Sequence, residues 1–221
     1  IIAHGRAING SHGCGGEIGH ATIDFRDDAR VCGCGRPGHL EAYAGAAGIV
    51  QTVRELIARP HGSSTLANQS ELSPASVASA AESGDEVALE TVRRTGKSLG
   101  RAVAMLAHIA DPQVVLLGGA VTFGGDKTQT GRMFLKTIHE EAVRFSLDFA
   151  GEVLQIEFAS LGNDAGMLGA ARHAELAAQA SSQPSGQADG GFSDTLPTPT
   201  KHNDDPSRVN ADQAIQPGKT S

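Results

Sequence analysis

The order of hydrophobic patterns in the second half of this sequence constrains its fold most. Residues 85–110 keep one apolar face at helical spacing and predict a long helix, which ends where Asp111 precedes Pro112. The continuous apolar run at residues 113–117 predicts a strand buried on both faces, as in a parallel sheet. Helix, strand and helix patterns then follow in turn over residues 130–145, 153–158 and 163–176. This alternation predicts an α/β fold.

Shorter elements are predicted in the first half of the chain. Two short strands flank a bend at residues 4–5 and resemble a hairpin, and a further strand is predicted at 21–25. Residues 41–59 carry a helical pattern that Pro60 stops. The pair Ser73-Pro74 is a favourable helix start, since Ser caps and Pro fits the first turn.

The end of the chain has a different composition. From residue 179 onward it is rich in Ser, Pro, Gly, Gln and Asp and contains few large apolar residues. Such a segment cannot bury enough apolar surface to offset the entropy lost on ordering. We therefore expect a folded region at residues 1–178 and a disordered, low-complexity tail at residues 179–221.

Charge and cysteine content exclude several classes of protein. The chain has 18 Lys and Arg against 25 Asp and Glu, a net charge of −7, so we do not expect it to bind nucleic acid through a basic surface. No apolar run reaches the roughly 20 residues that span a bilayer, so we expect no membrane partner. Three cysteines are too few for a disulfide scaffold, which favours a cytoplasmic protein. Because the sequence starts at Ile1 rather than Met, we expect it to begin inside a longer protein.

One short loop has the ligand spacing of a zinc site. Cys32, Cys34 and His39 lie within eight positions, and His20 lies upstream. Zinc takes four tetrahedral ligands from thiolate and imidazole groups, which two Cys and two His would supply. The glycines around them give the loop the freedom to turn both sulfurs to one ion, and the metal would order a loop poor in apolar side chains. The alternative is two buried free thiols and two surface histidines. Cys14, in a tight glycine-flanked loop, is not included in the predicted site.

Two carboxylates flank this loop. Glu17 precedes His20 by three positions, and Glu41 follows the loop directly. If a metal draws His20 and His39 together, Glu17 and Glu41 come near each other. Carboxylates and imidazoles hydrogen-bond to the hydroxyls of polyhydroxylated ligands, so the trio suggests sugar binding. The alternative is an ordinary loop carboxylate and a favourable charge at a helix N-terminus.

The two loops resemble those of a known family. Gly-Gly-Glu-Ile-Gly-His at residues 15–20 and Cys-Gly-Cys-Gly-Arg-Pro-Gly-His-Leu-Glu at 32–41 are similar to the paired loops of the ROK family (repressors, open reading frames, kinases). That family includes bacterial glucokinases, N-acetylhexosamine kinases and sugar-responsive repressors. The resemblance extends to residues 115–119 and 161–171, and it covers about residues 1–176.

The resemblance implies an actin-like ATPase (ribonuclease H-like) fold with two α/β domains, of which this chain holds mainly the C-terminal one. It implies that Glu17, His20 and Glu41 contact the sugar. The residues that it implies as ligands of a structural zinc ion are His20, Cys32, Cys34 and His39, with His39 in place of the family's usual third cysteine.

The resemblance also implies a nucleotide contact and an exposed helix. Gly118 and Gly119 match a turn near adenosine, where glycine lets the backbone approach a flat ring; a plain turn is the alternative. In the family the last helix packs on the N-terminal domain, so Met167, Leu168 and Ala171 would here face water or a neighbour.

The catalytic groups of the family lie outside the present residues. Both phosphate loops and the general-base Asp are expected upstream of Ile1. We therefore expect that the parent protein phosphorylates a hexose of the glucose or N-acetylhexosamine class with ATP and Mg²⁺, and that these 221 residues alone are inactive. The full-length protein is expected to be a homodimer or tetramer. The alternatives are the effector-binding domain of a sugar-responsive repressor and a purely structural zinc module.

Overall fold

The structure is a computed structural model that describes residues 1–60, 63–119, 121–148 and 153–182. The described residues fall into two compact units, 1–15 and 16–182. In the first, strand β1 (Ile2–Ala3) pairs antiparallel with β2 (Arg6–Ala7). His4 and Gly5 form the bend with φ angles of 51° and 73°, which confirms the predicted hairpin.

The second unit contains helices and a parallel pair of strands. Its helices are α1 (Glu41–Ala44), α2 (Ala46–Ile57), α3 (Pro74–Glu82), α4 (Glu86–Ala110), α5 (Gln129–Phe145) and α6 (Ala165–Ser182). Its strands are β3 (Val114–Leu117) and β4 (Gln155–Phe158). Among the described residues, no helix combines the length and apolar character needed to cross a membrane.

Local sequence sets the start of α3 and the end of α4, as predicted. Ser73 and Ser76 form a reciprocal capping box at the start of α3. Asp85 caps α4 by accepting a hydrogen bond from Ala88 N at 3.1 Å. At the other end, Asp111 adopts φ 41° immediately before Pro112, and the helix stops there.

Two predictions for the first half of the chain hold only in part. The helix predicted at 41–59 is divided at Gly45, whose extended backbone (φ −73°, ψ 166°) separates α1 from α2. The strand predicted at 21–25 is reduced to one bridge between Thr22 and His39. Ile23 N and Asp24 N both donate to the carbonyl of Gly38, at 2.9 and 3.2 Å, so no regular ladder can continue.

The predicted parallel sheet is present, but β3 is not buried on both faces. Val114 pairs with Gln155 and Leu117 with Phe158, and α5 lies in the connection between the two strands. Val114 and Leu116 are 39% and 60% exposed, whereas the alternate residues of β3 face the core. The reason is that, in the described part of the chain, the core packs against only one face of β3, through Val115 and Leu117.

Helices α4 and α5 form the tightest contact of the core. Phe134 and Ile138 of α5 are fully buried. A Cβ on Gly100 of α4 would lie 2.7 Å from Ile138 O, so the two backbones approach more closely than any larger residue permits. Helices α1, α2, α3 and α5 all pack against α4.

Helix α6 is exposed in the described structure. Met167 and Leu168 are 67% and 46% exposed, as the resemblance implied. The helix continues to Ser182, four residues into the segment predicted as a tail from residue 179. The rest of that predicted tail, residues 183–221, lies outside the described residues.

Candidate functional site

The four residues predicted to bind zinc lie together. Their ligand atoms are all within 4.8 Å of one another. His20 Nδ1 is 3.4 Å from His39 Nδ1, Cys34 Sγ is 3.2 Å from His39 Nδ1, and Cys32 Sγ is 4.0 Å from His20 Nδ1. Zinc bonds of about 2.1 Å to nitrogen and 2.3 Å to sulfur give a tetrahedron with edges of about 3.3–3.8 Å. Both the donor set and its spacing therefore fit zinc.

A tight turn presents the two cysteines. Val31 and Pro37 form an isolated antiparallel bridge, and Cys32 N donates to Arg36 O at 2.8 Å. Gly35 N donates a hydrogen bond to Cys32 O at 2.8 Å, and Gly35 adopts a φ of 85°. The turn buries Cys32 and leaves Cys34 exposed.

Gly38 joins this turn to the segment that carries His20. Its φ is 77°, and a Cβ at this position would overlap Asp24 O, so only glycine fits. Its N–H donates to Arg30 O at 2.8 Å, and its carbonyl accepts from Ile23 and Asp24. The next residue, His39, forms the bridge to Thr22, which brings His39 beside His20.

A hydrogen-bonded network connects the loop to helix α1. Tyr43 of α1 donates to Asp24 Oδ2 at 2.6 Å and accepts from Arg30 N at 2.9 Å. Arg26 binds the same carboxylate through Nε at 3.0 Å and Nη2 at 2.8 Å. The hydrogen bonds from Arg26 and Tyr43 hold the pKa of Asp24 well below its usual value. Burial and the Asp24 hydrogen bond raise the pKa of Tyr43.

Arg30 is the residue that ties the loop to α2. Its guanidinium donates to the carbonyls of Ala42 and Gly48 at 3.3 and 3.2 Å, to Thr52 Oγ1 at 3.0 Å and to Glu55 Oε2 at 2.6 Å. It also lies 5.0 Å from the centre of the Tyr43 ring. Sequence reasoning missed this residue because its partners are 12 to 25 positions away and no local spacing marks them.

The four candidate zinc ligands, His20, Cys32, Cys34 and His39, are called the metal group below. The residues predicted to contact sugar lie at one edge of this group. His20 directs Nδ1 toward the other ligands, and its Nε2 lies 4.0 Å from Glu17 Oε2. Glu41 begins α1, and its Oε2 would lie 3.7 Å from a Cβ built on Gly19. Glu17, His20 and Glu41 are all exposed. The arrangement offers two carboxylates and one imidazole nitrogen to a ligand in solution.

The two glycines predicted to lie near adenosine are on a different element. Gly118 and Gly119 follow β3 and are exposed. A Cβ on Gly118 would make an ordinary contact, 3.4 Å from Ala159 Cβ, whereas Gly119 adopts φ 80°. The turn itself thus accounts for Gly119, and the nucleotide assignment of the pair stays a prediction.

Comparison with known proteins agrees with the fold and with the paired loops. The model of the ROK family matches residues 1–177, and the chain therefore belongs to the ROK family. A ROK family glucokinase from Streptomyces griseus, solved in complex with glucose and AMPPNP, superposes with a TM-score of 0.61 at 26% identity; the match covers 80% of this chain and 56% of that one. The mixed α/β content is accordingly that of an actin-like ATPase fold.

Its relatives include both enzymes and regulators. The glucokinase of Halalkalibacterium halodurans is 34% identical over 173 residues, which are 76% of this chain and 50% of the relative. The xylose repressor of Caldicellulosiruptor bescii is 29% identical over 171 residues, which are 76% of this chain and 41% of the relative. The chain thus spans half or less of the length of these two relatives.

Proposed function

We propose that the protein is an ATP-dependent hexose kinase of the glucokinase type and that residues 16–182 contribute to its sugar-binding part. The observation that carries this proposal is the grouping of Glu17, His20 and Glu41 at the edge of the metal group. Its relatives named glucokinase support the kinase assignment. We include ATP with Mg²⁺ as the phosphoryl donor because a similar kinase was solved with AMPPNP.

The proposed structural zinc ion is held by His20, Cys32, Cys34 and His39. When bound, it supplies a fixed tetrahedral centre that orders the loop. Its two positive charges are balanced by the two thiolates, whereas the three thiolates usual in the family would leave a negative site. With Nδ1 of His20 used as a ligand, the proton of the neutral ring is on Nε2, which then donates a hydrogen bond.

The sugar is proposed to bind through hydroxyl groups. The carboxylates of Glu17 and Glu41 accept hydrogen bonds from sugar O–H groups, and His20 Nε2–H donates to a sugar oxygen. This combination of two acceptors and one donor suits a polyhydroxylated ring, whose hydroxyls both donate and accept. A glucose or N-acetylhexosamine ligand fits this chemistry.

Phosphoryl transfer requires a base and a phosphate cradle in addition to the contacts with the sugar. We propose that these residues bind sugar but do not catalyse ADP release from ATP and glucose on their own. Gly118 and Gly119 are proposed to contact the adenosine of ATP, and the complete protein is proposed to be a homodimer or tetramer.

The test is calorimetric titration of the purified 221-residue chain with glucose, N-acetylglucosamine and mannose. We expect saturable binding of at least one sugar, and at least a tenfold loss of affinity in Glu41→Gln, on the order of one hydrogen bond to a charged group. Glu86→Gln is the matched control, because Glu86 is an exposed first-turn carboxylate of α4, as Glu41 is of α1. No binding of any sugar would contradict the proposal and favour a structural zinc module.

A second candidate is the effector-binding domain of a sugar-responsive repressor. The similarity to a xylose repressor favours this candidate. In a repressor, Glu17, His20 and Glu41 would bind the sugar effector. Expression from the complete reading frame separates the two: sugar-dependent ADP release from ATP identifies a kinase, whereas sugar-sensitive binding to DNA without ADP release identifies a repressor.

A further inference from the structure

A cavity separate from the metal group lies between the segment 23–30, helix α2 and helix α4. Its volume is about 670 Å³, and Glu17, Glu41 and the four ligand residues do not line it. Sites for small molecules have volumes of about 300–1,000 Å³. The cavity is therefore large enough for a ligand of the size of a phosphorylated sugar.

The cavity is rich in cations although the chain as a whole is acidic. Six of its lining residues are Arg or Lys and three are Asp or Glu, in a chain with a net charge of −7. On the wall formed by segment 23–30 and α2, charges are neutralised in pairs. Arg26 binds Asp24, and Arg30 binds Glu55. The lining cations outside these pairs are Arg59 and those of the opposite wall.

That wall is one face of α4. Arg94, Lys97, Ser98 and Arg101 follow the spacing i, i+3, i+4 and i+7, so they share a face over about 10 Å. Within the described residues, Lys97 has no ion-pair partner, and neither does Arg59, which lies beyond the end of α2 and also lines the cavity.

The two arginines of α4 leave their outer nitrogens available. Arg94 binds Glu90 through Nε at 2.8 Å, and Arg101 binds Glu141 through Nε at 3.0 Å. In the part of the chain that the structure describes, the Nη atoms of both residues make no hydrogen bond. Arginine Nη groups and a lysine ammonium converging on one space suit an anion with several acceptor oxygens.

We propose that this cavity binds the dianionic phosphate group of a small molecule, either inorganic phosphate or a phosphate monoester. Like charges at helical spacing repel one another, and a bound dianion relieves that repulsion. The phosphate oxygens accept from Lys97, Arg59 and the free Nη groups, and Ser98 adds a hydroxyl donor. In a phosphate ester of a polyol, the hydroxyl groups donate to Asp28 and Glu55 on the facing wall. This site stands independently of the kinase proposal.

The experiment titrates the full 221-residue chain with inorganic phosphate and with glucose 6-phosphate at low ionic strength. We expect saturable binding that weakens at least tenfold in the double variant Lys97→Ala, Arg59→Ala and also weakens as salt is added. Arg54→Ala with Lys127→Ala is the matched control, because it removes one Arg and one Lys that are exposed and outside the cavity. A melting curve of each variant establishes that it is folded.

Comparing the affinities for inorganic phosphate and for glucose 6-phosphate distinguishes the two candidate ligands. If glucose 6-phosphate binds more tightly than inorganic phosphate, the ligand of the site is a phosphorylated polyol. If the two affinities are equal, the ligand is free phosphate. Both results support a site for a phosphate dianion. Absence of saturable binding by the wild-type chain overturns the proposal, as does unchanged affinity in the double variant. Loss of ester binding in Glu41→Gln, with binding kept in the double variant, would place the ester at the sugar site and also overturn it.

Discussion

Replacing Arg30 by Met tests whether the loop proposed to bind zinc depends on its anchor to α2. Met has a similar length and fills the space but donates no hydrogen bond. The Arg30 side chain is only 15% exposed and donates to four acceptors, two of them carbonyls at the α1–α2 junction. Its backbone also links the loop to Tyr43 and Gly38. Loss of the side chain should therefore loosen the loop as well as lower stability.

The size of the effect follows from the individual contacts. The two carbonyls and Thr52 Oγ1 lose donors in partly or fully buried positions, at about 0.5–1 kcal/mol each. The pair with Glu55, whose side chain is 43% exposed, adds at most about 1 kcal/mol because solvent screens it. The sum is about 3 kcal/mol. For a folded region of this size, that corresponds to a melting temperature lower by about 6–12 °C.

The assay is thermal unfolding of zinc-loaded wild type and variant, followed by titration with a zinc chelator. Arg30→Met should melt about 6–12 °C lower and lose zinc at a lower chelator concentration. Arg54→Met, an exposed arginine of α2 with no ion pair in the described residues, should melt within about 2 °C of wild type. If Arg30→Met had the same melting temperature as wild type, the anchoring role of Arg30 would be refuted.

Three further predictions concern the metal loop and the helix cap. Purified protein should contain about one zinc ion per chain, lost in Cys32→Ser and retained in Cys14→Ser, since Cys14 lies in the other unit and is not among the ligand residues. Gly38→Ala should abolish zinc binding, because its Cβ would overlap Asp24 O at a φ of 77°; zinc analysis and melting measure this. Asp85 should make folding stability depend on acid pH. Burial raises the pKa of Asp85, but hydrogen bonds from Ala88, Thr65 and Ser64 together lower it below 3.8. A lowered folded-state pKa gives stability that is complete above the unfolded value and is lost as the pH falls through the folded value. Urea unfolding between pH 5 and pH 2 should therefore show a smaller loss of stability in Asp85→Asn than in wild type.

For each of these three predictions, a specific result would contradict it. A Cys32→Ser protein that is fully loaded with zinc would overturn the ligand assignment. Native melting and zinc content in Gly38→Ala would show that the loop tolerates a side chain there. If wild type and Asp85→Asn lost the same free energy of unfolding from pH 5 to pH 2, the Asp85 carboxylate would not be the source of the acid sensitivity.

The sequence alone determined the features that depend on neighbouring residues. The ends of α4 follow from the cap at Asp85 and from Pro112, both of which act within one helical turn. The four candidate ligands could be recognised because Cys32, Cys34 and His39 lie within eight positions and the type of donor restricts the metal. The alternation of helix and strand was likewise readable from periodicity, which is a local property.

Tertiary structure decided the features that depend on distant residues. The one-sided burial of β3 reflects which elements pack on it. Arg30 became recognisable as the anchor of the loop only when α2 was placed beside it, and Lys97 and Arg59 as neighbours in one cavity only when the helices had packed. Spacing along the chain does not encode such contacts, because partners 12 or more positions apart meet only after the helices have packed.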